Sequence, residues 1–91
     1  MAGSRKQNSL TLADRLLEEV RRNRQPVSVY LVSGFQLKGE VLEFDADTVL
    51  LKHKDGAQLI MRSAIATMYP LGDAKHDASE WWRDYLSTPD D

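Results

Sequence analysis

Between Pro26 and Lys52 the chain reads PVSVYLVSGFQLKGEVLEFDADTVLLK, a run in which apolar and polar residues alternate around two turn signals. Alternation of period two belongs to strands with two unlike faces and is incompatible with an amphipathic helix. Val27, Val29 and Leu31 fall on one face of a first strand, and Ser28, Tyr30 and Val32 on the other. Ser33-Gly34 marks a hairpin turn, because glycine adopts the positive φ that tight turns require. Phe35, Leu37, Gly39 and Val41 share one face of a second strand, with Gln36, Lys38, Glu40, Leu42 and Phe44 on the other. A glycine in mid-strand signals a sharp bend or a bulge, the device that curls a sheet. Asp45-Ala46-Asp47 is a second turn, and Thr48 to Lys52 a third strand.

The flanks complete the pattern. Thr11-Leu12-Ala13-Asp14 has the form of a capping box, so a helix starts at Thr11 or Leu12. Leu12, Leu16, Leu17 and Val20 then form one apolar stripe, and Pro26 ends the helix just ahead of it. Downstream, His53-Lys54-Asp55-Gly56 is a polar turn, Ala57 to Met61 a fourth strand, Arg62-Ser63 a break, and Ala64 to Tyr69 a fifth strand stopped by Pro70. The fold class is therefore mostly β with one N-terminal α-helix: a five-stranded bent barrel of Sm type, with the helix stripe laid across one open side. Strands four and five keep unpaired edges, and a repeated head-to-tail pairing of such edges closes into a ring.

Ninety-one residues allow one domain, expected over 11–70, with an N-terminal arm at 1–10 and a tail at 71–91. A core this small gains from oligomerisation. The chain has no cysteine, which excludes disulfide frameworks and thiolate sites and fits a cytoplasmic setting. No signal peptide or membrane-spanning run is expected. Residues 1–62 carry ten Lys and Arg against eight Asp and Glu, whereas residues 63–91 carry two against six. A mildly basic body thus precedes an acidic tail. His53 and His76 are the two histidines, both in polar stretches, and no catalytic triad, phosphate-cradling glycine loop or metal-spaced cluster accompanies them. The expectation is a protein that is not an enzyme and needs no cofactor or metal.

The helix end holds Arg21, Arg22 and Arg24. On charge alone, two readings stand: cations that complement the carbonyl end of the helix, or guanidinium forks that grip phosphate.

RLLEEVRRNRQPVSVYLVSGFQLKGEVLEFDADTVLLK, followed by AIATMYP, resembles the Hfq family of bacterial Sm-like RNA chaperones over roughly residues 11–70. The resemblance implies a homohexameric ring that binds RNA on two faces and an outer rim, anneals small RNA to mRNA, and serves post-transcriptional regulation and stress responses. For the face that takes A-rich RNA it implies Tyr30, Gly34, Leu37, Gln58 and Thr67, with Phe35, Gln36 and Lys38 standing where the family carries an aliphatic residue, lysine and glutamine. A tyrosine ring that stacks a base contributes about 1–3 kcal/mol, and a glutamine amide can pair with an adenine edge. For the rim it implies Arg21, Arg22 and Arg24, assisted by Lys52, with Glu18 replacing the family's asparagine. With sixfold repetition the phosphate-binding reading of these arginines takes precedence. The U-binding face departs most: Asp47 replaces an aromatic, Met61, Arg62 and Ser63 replace Tyr-Lys-His, and Ala13 replaces glutamine, so weak oligo-U binding is expected.

The tail lies outside the resemblance. Asp77 and Glu80 are placed to cap a short helix over 78–87, with Trp81, Trp82, Tyr85 and Leu86 on one stripe. Three roles are open: packing on its own or a neighbouring ring, competing with RNA for the rim arginines, or anchoring a protein partner through its aromatics. For the whole chain the leading expectation is an RNA-binding hexamer. The alternatives are a ring with reduced RNA binding that acts as a protein scaffold, and an unrelated small-barrel interaction module.

Overall fold

The helix forms where the sequence supplies both of its ends. The computed structural model describes residues 11–72 together with Trp82, Arg83 and Leu86. Helix α1 spans Leu12–Asn23. At its start the Thr11 hydroxyl accepts from the Asp14 amide at 3.0 Å, while the Thr11 amide donates to the Asp14 carboxylate at 3.3 Å, so two otherwise orphaned donors are satisfied. At its end Arg24 takes a left-handed conformation with φ 56°, and the Gln25 amide bonds back to the Val20 carbonyl at 3.0 Å. Pro26 then begins β1.

The strands follow as β1 Pro26–Leu31, β2 Gln36–Phe44, β3 Thr48–His53, β4 Gly56–Met61 and β5 Ile65–Pro70, with a 3₁₀ turn at Arg62–Ala64. Every boundary lies within a residue or so of the expected one. The strands form one antiparallel sheet in the order β4-β3-β2-β1-β5, which leaves β4 and β5 at opposite edges. Gly34 turns the first hairpin at φ 102°. Leu16, Leu17 and Val20 of α1 pack with Val27, Val29, Val41, Val49, Leu51 and Ile60 in a single buried cluster. Burial of each such side chain contributes about 1.5–3 kcal/mol relative to exposure. Leu12, expected on the same stripe, stands half-exposed on the first turn.

Gly39 bends the sheet through close approach. A Cβ at this position would run into the Lys52 carbonyl oxygen and lie 3.0 Å from its carbon, so β2 and β3 can meet here only with hydrogen in that place. Two face assignments differ from the alternation. A bulge at Leu42 shifts the β2–β3 register between Val41 and Glu43. Phe44 consequently turns onto the core side with Val41 instead of sharing a face with Leu42. Ser28, assigned to the outer face, is fully buried, because the Gln36 amide lies over it and donates to its hydroxyl at 2.8 Å.

The buried Gln25 closes the fold. Its amide donates to the Leu71 carbonyl at 2.7 Å, and the Leu71 amide bonds to the Pro26 carbonyl at 2.8 Å. The point where the chain leaves β5 is thereby fixed beside the end of α1.

Candidate nucleic-acid interface

The outer side of β1 carries Tyr30. Across the ladder it faces Gln36 on β2 and Thr67 on β5. Two pairs further along, Tyr69 lies opposite Ser28, and its ring stacks on that of Tyr30 with centroids 6.3 Å apart and planes inclined by 27°. Hydrogen bonding and charge repulsion from Tyr69 raise the Tyr30 phenol above its ordinary pKa. The result is a two-ring wall with hydroxyls and an amide at its border, suited to stacking a base and reading its edge. Phe35, at the turn beside Gly34, is 72% exposed.

The other residues expected on this face are distributed differently. Leu37 pairs with Val29 and packs against the core, so its side chain supports the wall from beneath. Lys38 is exposed, opposite Ser28. Gln58 is exposed on β4 opposite Leu51, at the far edge of the sheet from β5, and a single chain does not bring it to Tyr30. Tyr69 was not anticipated, although the alternation of β5 places it on one face with Thr67.

At the end of α1 the three arginines each meet a carboxylate of their own chain. Arg21 binds Glu18 at 2.9 Å, Arg22 binds Glu19 at 3.0 Å, and Arg24 reaches Glu40 at 3.4 Å. Exposed pairs of this kind are weak, so the cations remain exchangeable toward phosphate. Lys52 is exposed on β3, opposite Glu40.

The third group gathers where α1 starts. Met61 pairs with Thr48, the Arg62 amide bonds to the Asp47 carbonyl at 2.8 Å, and Ser63 follows in the 3₁₀ turn. Arg62 does not present its charge outward. Its guanidinium lies 3.0 Å from the Asp14 carboxylate, donates also to the Asp45 carbonyl, and is 17% exposed. Asp45 meanwhile folds its own turn, accepting from the Asp47 and Thr48 amides and the Thr48 hydroxyl. The corner thus offers phosphate more negative than positive charge.

Of the tail, Trp82 is partly exposed beneath the Arg83 guanidinium, 5.1 Å from its ring centroid, and Leu86 is exposed. Trp81 and Tyr85, and the helix expected over 78–87, lie outside the described residues apart from these positions. Among the described residues no cluster of three or more His, Asp or Glu is placed to hold a metal ion, and no helix is long and apolar enough to cross a membrane.

One capped helix on a bent five-stranded antiparallel sheet, with an aromatic wall on β1 and cations at the helix end, defines an Sm-like barrel. The Hfq protein family model matches residues 12–75. The RNA-binding protein Hfq of Desulfitobacterium hafniense is 44% identical over 62 residues, which cover 68% of this chain and 75% of that one. A crystal structure of the pleiotropic translational regulator Hfq superposes with a TM-score of 0.62 at 34% identity, covering 64% of this chain and 97% of the other. An Hfq protein from Anabaena sp. gives 0.59 at 30% identity, covering 65% and 95% respectively. The chain belongs to the Hfq family, a family of bacterial RNA-binding proteins.

Proposed function

We propose that copies of this chain assemble into the hexameric ring that is the norm of its family, bind A-rich single-stranded RNA on the Tyr30 face, and anneal small RNA to mRNA along the arginine rim. The observation that carries this reading is the Tyr30–Tyr69 wall, bordered by Gln36 and Thr67. In a ring, the β4 edge of one copy meets the β5 edge of the next, which carries Gln58 toward the neighbour's Thr67 and completes the adenine-reading set. The work needs no covalent chemistry: two strands are held weakly, concentrated, and released. The setting is the bacterial cytoplasm.

The corner of Asp47, Met61, Arg62 and Ser63 contributes little to U-rich binding, since its one arginine is held by Asp14. The scaffold alternative is not favoured by relatives named as RNA-binding proteins. Fluorescence anisotropy with labelled oligo-A and oligo-U at one fixed salt concentration tests the proposal. The expected result is tight oligo-A binding, weak oligo-U binding, and a loss of about 1–3 kcal/mol per stacked base in Tyr30→Ala. Equal binding of the two RNAs, or a Tyr30→Ala variant that binds oligo-A like the parent, would overturn it.

A further inference from the structure

Along the outer face of β2, Gln36 stands beside Tyr30, Lys38 opposite Ser28, and Glu40 opposite both Pro26 and Lys52. This row runs from the aromatic wall to the end of α1. At its far end lies an open groove lined by Arg24, Lys38, Glu40, Lys52 and Lys54, together with Pro26 and Gly39. Four cations surround one carboxylate there, and that carboxylate holds Arg24 only at 3.4 Å.

Backbone conformation points to the same place. Among the described residues, Arg24 at φ 56° and Lys54 at φ 58° are the two non-glycine residues with positive φ. Left-handed positions favour glycine or asparagine. Here both carry a long cation, and both cations line this groove. Lys38, Glu40 and Lys52 place the groove on β2 and β3, inside the sheet order, while Lys54 reaches it from the turn between β3 and β4.

We infer that this groove is a phosphate-binding site for the backbone of single-stranded RNA, which carries one strand from the Tyr30 wall to the arginine rim. The assignment rests on the RNA-binding reading above and adds to it a path between two surfaces that would otherwise act separately. Recognition is by charge: lysine and arginine replace the counterions of successive phosphates without reading bases.

Lys54→Gly tests the site in the full chain. Glycine suits the left-handed turn, so the variant keeps or gains stability, and a binding loss cannot be ascribed to misfolding. Binding of a short oligo-A that fills only the Tyr30 face should be unchanged. A longer oligo-A that can continue along β2 should bind a few-fold more weakly, with the slope of log K against log salt smaller by about 0.7 for each phosphate no longer neutralised. Glu40→Gln, which removes the groove's carboxylate, should tighten the longer RNA. If the parent protein binds both RNAs while Lys54→Gly and Glu40→Gln leave affinity and slope for the longer one untouched, the groove assignment fails and the Tyr30 reading stands. If the parent binds neither RNA, both fail.

Discussion

Arg21 and Arg22 each hold a carboxylate of their own chain, because Glu18 and Glu19 sit one helical turn before them. A phosphate that binds there must displace those carboxylates, and exposed pairs of this type are weak. Glu18→Asn should therefore accelerate annealing of complementary RNA strands by roughly two- to fivefold in stopped-flow fluorescence, with little change in melting temperature. Gly39 makes the opposite kind of demand. Any side chain there meets the backbone of Lys52, which cannot move without unzipping β3. Gly39→Ala should cost about 2–3 kcal/mol in urea unfolding, at the upper end of overpacking penalties.

At the scale of elements, Arg62 joins three parts distant in sequence: the start of α1 through Asp14, the β2–β3 turn through Asp45, and the entry to β5. Burial pulls the Asp14 carboxyl up, but hydrogen bonds from Arg62 and Thr11 outweigh it and hold its pKa below the ordinary 3.8. The Thr48 hydroxyl, with the Asp47 and Thr48 amides, likewise lowers Asp45. A depressed carboxylate stabilises the fold above its unfolded-state pKa, and this contribution disappears as pH falls through the lower folded-state value. Melting temperature should be flat from neutrality to about pH 4.5 and drop below the ordinary carboxylate range. The Asp14→Asn, Asp45→Asn double variant should start lower at pH 7 and show a shallower acid limb. A limb as steep as the parent's would mean that other carboxylates dominate. The elements were largely legible in the sequence. Thr11 with Asp14, Gly34 and the alternation of β1 state their structure locally, and the resemblance pointed to the Tyr30 face. The bulge at Leu42 carries no glycine or proline to announce it, and Arg62 finds Asp14 only once five strands have formed. The pairing of Arg21 with Glu18 could have been anticipated from their spacing, since residues three apart share a helix face.

For the whole molecule, the question of assembly sits on the outer strands. Leu59 is 59% exposed and Met61 51% exposed on β4, while Tyr69 is exposed on β5. Apolar side chains beside unpaired backbone edges suit a second copy. Light scattering should give six times the mass of one chain. Leu59→Glu should dissociate the ring at low micromolar concentration and lower RNA affinity with it, since linked sites bind with an avidity that single ones lack. Undiminished mass in that variant would place the contact elsewhere. The Gln25 clamp on Leu71 has a further consequence. It ties the exit of the chain from β5 to the end of α1, two residues past Tyr69 of the aromatic wall, so one side chain sets the position of the helix end relative to that wall.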